Sequence, residues 1–468
     1  MSRSYCYRSG GWIMLAVGVL LAGCSSDDSD KTPTGPTYLA TDFFVSVANG
    51  QDDHSGKKDA PFASIQRAID TAKLTGGRVF VAEGVYYENV VLDDKVNLFG
   101  GYKNGTFVRD IAGAVTVING TANAVSITDA DSITIDGFTI NCAAGADPGS
   151  SAIAIALHNA DAITINHNVI TAGNGSAGSA GYKPAGPAKS PDGGPGHAAS
   201  DSGCTIFQCP FDFQGGHGGY LSGAWGGQGG CGSVSKCYDG YDGEGPGGAG
   251  GASKGLYGGA GDNGSNGGPG ASVGMNGYGG AAFGSLSAGS YLAAAGGDGG
   301  EGSNGGGGGG GGGGGSILSR GASGGGGGAG GRGGQGGICG KGGGASIAIL
   351  LSGDSHATIT NNTITTYDGG AGGNGGLGGD PGAPGLGAAG GAWNGWGSAG
   401  GHGGNGGAGR VGGIGGGGGG GPTIGICEST ESSSTLSANT PSYGSGGFGG
   451  TGSGNAGAAG EAADYKKL

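Results

Sequence analysis

Ile153-Ala154-Ile155, with Ile165 twelve positions after Ile153 and Asn168 fifteen after it, is the unit on which the chain is built. Ile347-Ala348-Ile349 is followed at the same offsets by Ile359 and Asn362, and Ile424-Gly425-Ile426 by Leu436 and Asn439. An earlier copy starts at Val125-Ser126-Ile127 and reaches Ile135 through a connection two residues shorter, with Phe138 in the Asn place. The copies lie far apart, yet the long interruptions fall just after the Asn position. A sandwich has no reason to reuse fixed offsets, whereas stacked coils do. The expected fold is therefore all-β: a solenoid of parallel strands with glycine-rich segments leaving from one corner. Asn168, Asn362 and Asn439 are expected to stack as a ladder of amides bonded along the solenoid.

Upstream of these copies the strand rhythm is the same. Ile133 and Ile135 alternate with Ser132, Thr134 and Asp136, a period of two that buries one face. Phe43–Val47, Arg78–Val81, Val85–Leu92, Val96–Phe99 and Val115–Ile118 read as further strands. Pro61 to Lys73 reads as a helix, with Pro61 in its first turn and Ile65, Ala68, Ile69 and Ala72 as an apolar stripe.

The segments Phe44-Val45-Ser46, Asn49-Gly50, Pro61 to Ile69, Gly76-Gly77, Val79-Phe80-Val81 and Gly84 to Glu88 come in a characteristic order. In that order and spacing, residues 42–102 resemble the N-terminal module of the pectin-lyase-like superfamily. The resemblance implies a right-handed parallel β-helix whose first coil is capped by an α-helix. It implies fold more than activity, since one fold hosts many functions. An amphipathic helix at that place would also cover an otherwise open sheet edge.

Glycine supplies 132 of the 468 residues, far above ordinary usage. Gly305 to Gly315 is uninterrupted glycine, and from Gly370 to Gly385 every third residue is glycine. Collagen shares that period but needs more proline than Pro381 and Pro384. Two states suit these arms. One is a disordered tether, because ordering glycine costs the most entropy. The other is a bundle of extended three-per-turn strands of the polyglycine-II type. Trp225, Trp393, Trp396, Tyr220, Tyr238, Tyr257, Phe283 and Tyr291 within the arms favour order. In their Gly-Gly-Xaa texture the arms resemble PGRS-type glycine-rich surface proteins. Deleting 172–344 is expected to leave a folded coil stack.

Arg3 and Arg8 precede the apolar run Trp12 to Leu21, the order of a secretory signal. Leu21-Ala22-Gly23-Cys24 then resembles the lipobox of bacterial lipoproteins, which implies acylation at Cys24. Ser25 after it resembles outer-membrane sorting signals. Acyl chains would hold the protein on a membrane without a spanning helix. The expected organisation is a signal peptide over 1–23, a polar tether over 24–41 and β-helix over 42–171. Glycine-rich insertions over 172–344 and 367–421 alternate with coils over 345–366 and 422–442, and a glycine-rich tail fills 443–468.

Nine cysteines occur. Export makes disulfides feasible, with Cys204–Cys209 and Cys231–Cys237 as the nearest pairs and other pairings open. The spacing of these four does not fit a zinc site, and no cofactor is expected. Cys142, inside a coil, reads as buried.

For chemistry, Asp129, Asp131, Asp161 and Asp354 occupy one repeat corner, where Asp and Asn commonly bond their own backbone. His158 and His356 fall near the same turn, and Asp136 and His167 lie beside it on the coils. Residues 115–172 hold no Lys or Arg, so a lyase base on these coils is not expected. The formal net charge of −13 excludes a nucleic-acid binder, which needs basic stripes. Two function classes follow. One is a non-catalytic surface lipoprotein of the outer membrane whose partners are extracellular matrix or polysaccharide. The other is a carbohydrate-active β-helix enzyme, a polysaccharide lyase or glycoside hydrolase.

Overall fold

The computed structural model describes residues 38–468, apart from 94, 199–214, 231–238, 255–258, 317–320, 394, 396 and 453–454. The chain divides into two compact units, 1–39 and 40–468. Of the first only Tyr38 and Leu39 are described. The second is a right-handed parallel β-helix joined to a glycine bundle.

Three parallel sheets make the solenoid. The first has seven strands, stacked in the order Phe43–Val45, Arg78–Ala82, Asn97–Tyr102, Thr134–Asp136, Ile163–Asn166, His356–Thr360 and Ser433–Ser437. The second has six: Val90–Leu92, Asn123–Thr128, Ala152–His158, Ser346–Ser352, Thr423–Glu428 and Ala462–Lys467. The third also has six: Gly84–Tyr86, Thr116–Gly120, Thr139–Cys142, Val169–Ala172, Thr363–Thr366 and Thr440–Ser442. A full coil is the run Ala152–His158, Ile163–Asn166, Val169–Ala172. Its inward residues Ile155, Leu157, Ile163, Ile165 and Ile170 join one continuous core along the solenoid.

The repeat is as its spacing predicts, with one change of register. Ile165 lies between Ile135 and Ile359, and Ile359 beneath Leu436. Ile153, Ile347 and Ile424 form another column. In the earliest copy, however, Val125 stands under Ile155 and not under Ile153. The offset of ten from Val125 to Ile135 therefore matches that from Ile155 to Ile165, and no connection is shortened. Strand pairing conserves side-chain parity, so a shift of two keeps every residue on its face and is invisible to the hydrophobic pattern.

The asparagine column forms a ladder. Asn168 Nδ2 donates to Asn362 Oδ1 at 3.1 Å and to the carbonyl of Ile135 at 3.0 Å. Asn362 Nδ2 donates to Asn439 Oδ1 at 3.1 Å and to the carbonyl of Ile165 at 2.9 Å. Each Asn follows a residue of positive φ: His167 at 52°, Asn361 at 56° and Ala438 at 53°. That tight corner turns backbone groups inward, and the buried amides satisfy them. Phe138 takes the same place with its own N–H bonded to Asn168 Oδ1 at 2.9 Å.

The capping helix is shorter than expected, Ile65–Ala72. Phe62 instead forms a parallel bridge to Val45, which draws Pro61 out of the helix. Asp52 Oδ1 accepts the N–H groups of Ala63 and Ser64, and the Glu88 carboxylate accepts those of Ile65 and Gln66 at 2.8 and 2.9 Å. Two carboxylates thus hold N–H groups that the helix itself leaves unpaired. Ile65, Ala68, Ile69 and Ala72 are buried on the first coil, as their spacing requires. Val85–Leu92 is not one strand but two, Gly84–Tyr86 and Val90–Leu92, separated by a solenoid corner.

The described parts of the glycine arms are ordered. They leave after third-sheet strands at Ala172, Thr366 and Ser442 and return to second-sheet strands at Ser346, Thr423 and Ala462. The last segment is therefore not a tail alone, since Ala462–Lys467 pairs with Thr423–Glu428. One arm also carries an unexpected hairpin, Ser285–Ser287 with Ser290–Leu292. Tyr291, Phe283 and Leu286 from it pack over Ile153, Ala156, Ile347, Leu350 and Ile424 on the outside of the second sheet. Deleting 172–344 would strip this cover and expose an aliphatic face of the second sheet.

Candidate functional site

Outside the solenoid the arms bond backbone to backbone in a repeat of three. Gly305, Gly308 and Gly311 donate to the carbonyls of Gly331, Gly328 and Gly325. Gly306, Gly309 and Gly312 donate to Gly268, Ser265 and Asp262, while Gly307 and Gly310 donate to Glu244 and Tyr241. The carbonyls of the same run accept from three other segments, through Gly401–Gly407, Gly227–Gly230 and Gly248–Gly251. With three neighbours reached by donation and three by acceptance, the glycine run is the centre of a six-fold packing of three-per-turn strands. It is buried along its whole length. A Cβ on Gly309, Gly310 or Gly311 would collide with the carbonyl oxygen of Ala249, Gln228 or Gly401 respectively. Three consecutive positions face three different neighbours, so none can carry a side chain.

The same strand changes texture where its cover ends. Before Gly305 it presents Asp298, Glu301 and Asn304 to solvent at every third position. The strand Gly400–Gly421 does the reverse: His402, Asn405 and Ala408 are exposed, then Gly415–Gly421 is all glycine and buried. The segments around Gly447–Gly450 and Asn455–Ala458 bond to it there. A strand at the surface keeps one free edge and carries one side chain per turn. A strand inside keeps none.

At that free edge one N–H in three lacks a backbone acceptor, and Asn and Asp side chains supply it. Asn174 Oδ1 accepts the N–H of Asp368, Asn374 that of Thr451, Asn266 that of Asn405, and Asn405 that of Gly387, all at 2.8–2.9 Å. Asp298 Oδ1 accepts the N–H of Cys339 and Asp192 that of Leu386. This explains why short carboxamides and carboxylates recur at the third position.

On the bundle one place is concave and aromatic. Three neighbouring strands each present a pair of side chains three residues apart: His217 with Tyr220, Trp225 with Gln228, and Tyr241 with Glu244. The middle strand bonds antiparallel to the first through Gly226 to Gly219, and to the third through Tyr241 to Gln228. Together they line a cleft of about 360 Å³. The tight turn that sets the edge of the cleft is held by Leu221 and Ala224, buried against Ala329.

The solenoid offers a second polar site, on the outside of the first sheet. Phe44, Phe80 and Phe99 stack in one outward column with ring centroids 5.6 Å apart. Asp136 continues that column. Arg109 Nη2 lies 3.1 Å from Asp136 Oδ2, and His167 Nδ1 lies 3.4 Å from Oδ1 without hydrogen-bond geometry, leaving that buried oxygen without a hydrogen-bond partner. Basic groups thus reach the coils from the preceding turn, since Lys95 also pairs with Asp131 at 3.2 Å. The absence of Lys and Arg between 115 and 172 did not mean their absence from these carboxylates. Positive charge came from residues the repeat does not include.

The corner residues behave as turn elements. Asp129 and Asn159 both have φ of 50°, and Asn159 Nδ2 donates to Asp129 Oδ1. His158 Nδ1 meets Ser352 Oγ at 3.2 Å, while His356 lies 3.3 Å from Asp161 and 3.7 Å from Asp354. No group of three or more His, Cys, Asp or Glu among the described residues is arranged to hold a metal ion. Cys142 and Cys427 are free thiols, and burial pushes the first up to about 11 and the second to about 12. Cys24, Cys204, Cys209, Cys231 and Cys237 lie outside the described residues. Among the described residues, no helix is long and apolar enough to cross a membrane.

A family described as "Protein of unknown function (DUF1565)" matches residues 48–189. No curated protein sequence matches the chain. Among solved structures, the lacto-N-biosidase of family GH136 from Eubacterium ramulus is similar at 17% identity, over 26% of this chain and 27% of that one, with a TM-score of 0.17. The pectin methylesterase from Aspergillus niger is similar at 16% identity over 31% of this chain and 45% of the other, TM-score 0.20. For pectin methylesterase PemA from Erwinia chrysanthemi the values are 15%, 30%, 47% and 0.19. The chain spans less than half the length of each of these proteins, and what it shares with them is the fold.

Proposed function

We propose that this protein is a cell-envelope lipoprotein whose β-helix serves as a mount for a rigid glycine bundle, with a structural or adhesive role. The carrying observation is that all three glycine arms leave one corner of the solenoid and that their described parts bond into one body. Tethering both ends of each arm lowers the entropy that ordering would otherwise cost. The result is a long surface whose backbone is fixed and whose side chains recur at every third residue. Such a surface suits contact with an extended partner, extracellular matrix or polysaccharide, better than closure around a small molecule. Anchoring at the outer membrane through acylated Cys24 rests on the charged start, the apolar run and Leu21-Ala22-Gly23-Cys24.

A bundle-breaking variant tests the role. Gly310→Val should abolish association with cells or matrix while the purified protein keeps its β-sheet signal. Association at the level of the unaltered chain would reject the bundle as the contact surface. For the anchor, the intact mass of membrane-extracted protein should include an acyl-modified Cys24, and a Cys24→Ala variant should be released from the membrane. The alternative reading, a carbohydrate-active β-helix enzyme, draws on Arg109, Asp136 and His167 on the outer face of the first sheet. Its test is polysaccharide cleavage by the purified chain that an Asp136→Asn variant loses.

A further inference from the structure

The aromatic cleft on the bundle is a binding site in its own right: we propose that His217, Tyr220, Trp225, Gln228, Tyr241 and Glu244 hold an uncharged polysaccharide chain. The proposal deepens the adhesive reading and rests on it, by naming where on the bundle the contact is made and with what. The rings are exposed, Tyr220 by 65%, Trp225 by 44% and Tyr241 by 66%; other large side chains such as Met275, Tyr278 and Phe448 are exposed elsewhere on the bundle, but here three rings line one cleft. Single exposed apolar residues need no explanation, whereas rings gathered in one concave patch mark a place where a ligand would remove apolar area from water. Tyr220 and Trp225 have centroids 4.7 Å apart with planes tilted by 52°, so they form an open angle rather than a closed stack. Each can offer a ring face to a flat apolar ligand surface.

The spacing is set by the backbone. In a three-per-turn strand, residues three apart stand on the same side, separated by about 9 Å at 3.1 Å per residue. Three strands with two such positions each make a small grid, in which Tyr220 and Trp225 stand side by side and each strand pairs one of the three rings with a polar side chain. Across the inner pair of strands Trp225 stands opposite Glu244, and Gln228 opposite Tyr241, because the N–H of Glu244 bonds the carbonyl of Trp225 and that of Tyr241 bonds the carbonyl of Gln228. Ring beside carboxylate and carboxamide beside ring is the pairing a pyranose needs. Its axial C–H face is apolar, and its hydroxyls need donors and acceptors at the edge. The framework beneath does not move, since Gly226, Gly227 and Gly229 bond to three surrounding strands and a Cβ on any of them would strike backbone. A fixed site loses little freedom on binding.

Charge selects the ligand. Among the described residues the cleft is lined by Asp242 and Glu244 and by no Lys or Arg. Asp242 Oδ1 already accepts the N–H of Gly250 at 2.7 Å, and Glu244 Oε2 lies 3.4 Å from the N–H of Trp225, so its carboxylate retains capacity for a hydroxyl. Two carboxylates repel a polyuronate and accept from neutral sugars. The site should therefore bind neutral glycans and refuse polygalacturonate.

The experiment uses the full chain, with cellohexaose, chitohexaose and oligogalacturonate as probes. Binding is followed by tryptophan emission and by calorimetry. At least one neutral hexasaccharide should bind and shift the emission, whereas oligogalacturonate should not. Trp225→Ala and Tyr241→Ala should each weaken binding at least about tenfold, the scale of removing an aromatic anchor. Trp225→Phe should restore part of it. Both strands keep their glycines in these variants, and unchanged melting would show the bundle intact. Neutral probes that fail to bind, equal binding by Trp225→Ala, or capture of tetramethylammonium but no glycan would each overturn the assignment. Cell association separates the two readings. If Trp225→Ala loses glycan binding and cell association together, both stand. If the unaltered chain binds no probe yet adheres, this site fails and the adhesive reading survives. If the unaltered chain does not adhere at all, the adhesive reading itself fails.

Discussion

The solenoid and the bundle join segments by the same N–H to carbonyl bonds but fill the space between them in opposite ways. In the solenoid, side chains such as Ile155, Ile165 and Ile170 occupy the interior, and the backbone bonds of the sheets run along the stack, from coil to coil. Among the described residues the bundle has little side-chain interior, such as the small cluster of Leu221, Ala224 and Ala329. Around Gly305–Gly315 the bonds point outward in every direction, and the interior is backbone. The first region is held mainly by the removal of apolar area from water. The second has little such area and depends on close approach, which lets the peptide groups of its inner strands find partners on neighbouring strands. The contrast shows that an ordered core needs complete packing and complete bonding, and that large side chains are only one way to reach it.

The comparison is broken most severely from the solenoid side. Ile359→Asp puts an unpaired carboxylate in the column between Ile165 and Leu436. It should cost more than about 4 kcal/mol, enough to abolish cooperative thermal unfolding followed by circular dichroism. Next comes pH. Burial raises Cys142 from 9.0 to about 11 and Cys427 from 9.0 to about 12. In the unfolded chain these thiols ionise near 9, while in the fold they stay protonated, so the unfolded state binds fewer protons above 9. Their contribution is fully present below pH 9 and is lost as pH rises toward 11–12. The melting temperature should fall over that window, and less steeply in Cys427→Ala.

In the bundle, Gly310→Val forces a side chain against the carbonyl of Gln228. Overpacking of this kind costs about 1–3 kcal/mol. Hydrogen exchange should show bundle amides losing protection while Ile163–Asn166 keeps its own; equal loss in both regions would mean the two are one cooperative unit. Asn362→Ala removes the middle rung of the ladder and leaves the carbonyl of Ile165 and the N–H of Asn168 without their partner. A loss of about 1–3 kcal/mol is expected, read as a lower denaturant midpoint with unchanged slope. The smallest effect sharpens the rule for third positions. Leu377 is exposed on a surface strand and bonds nothing through its side chain, so Leu377→Ser should shift stability by no more than about 0.5 kcal/mol.

Much of this was legible in the sequence. The offsets linking Ile153, Ile165 and Asn168 exposed the coils, the stacking order and the ladder, because side-chain alternation in strands is a local property. The stripe Ile65, Ala68, Ile69 and Ala72 likewise marked a helix with one buried face. The register of Val125 was misread because a two-residue slip preserves that alternation. Pro61 was misplaced because its neighbour Phe62 bridges to Val45, a contact remote in sequence. Of the cleft residues, only Tyr220 and Trp225 stood out, as scattered aromatics. Their intervals of three, as in His217 to Tyr220 and Trp225 to Gln228, were a usable signal once a three-per-turn strand was assumed.

By itself the sequence determined the solenoid's inward residues, the corner from which the arms depart and the triplet texture of those arms. Each follows from the conformation of one short segment. Only the tertiary structure decided which strands of the bundle lie inside, that Arg109 and Lys95 would meet carboxylates on the next coil, and that a hairpin would seal the second sheet. These depend on how many neighbours surround a segment and from how far along the chain they come. The glycine run from 305 to 315 carries both lessons. Its composition is plain to read, but six surrounding strands are the reason that no other residue could stand there.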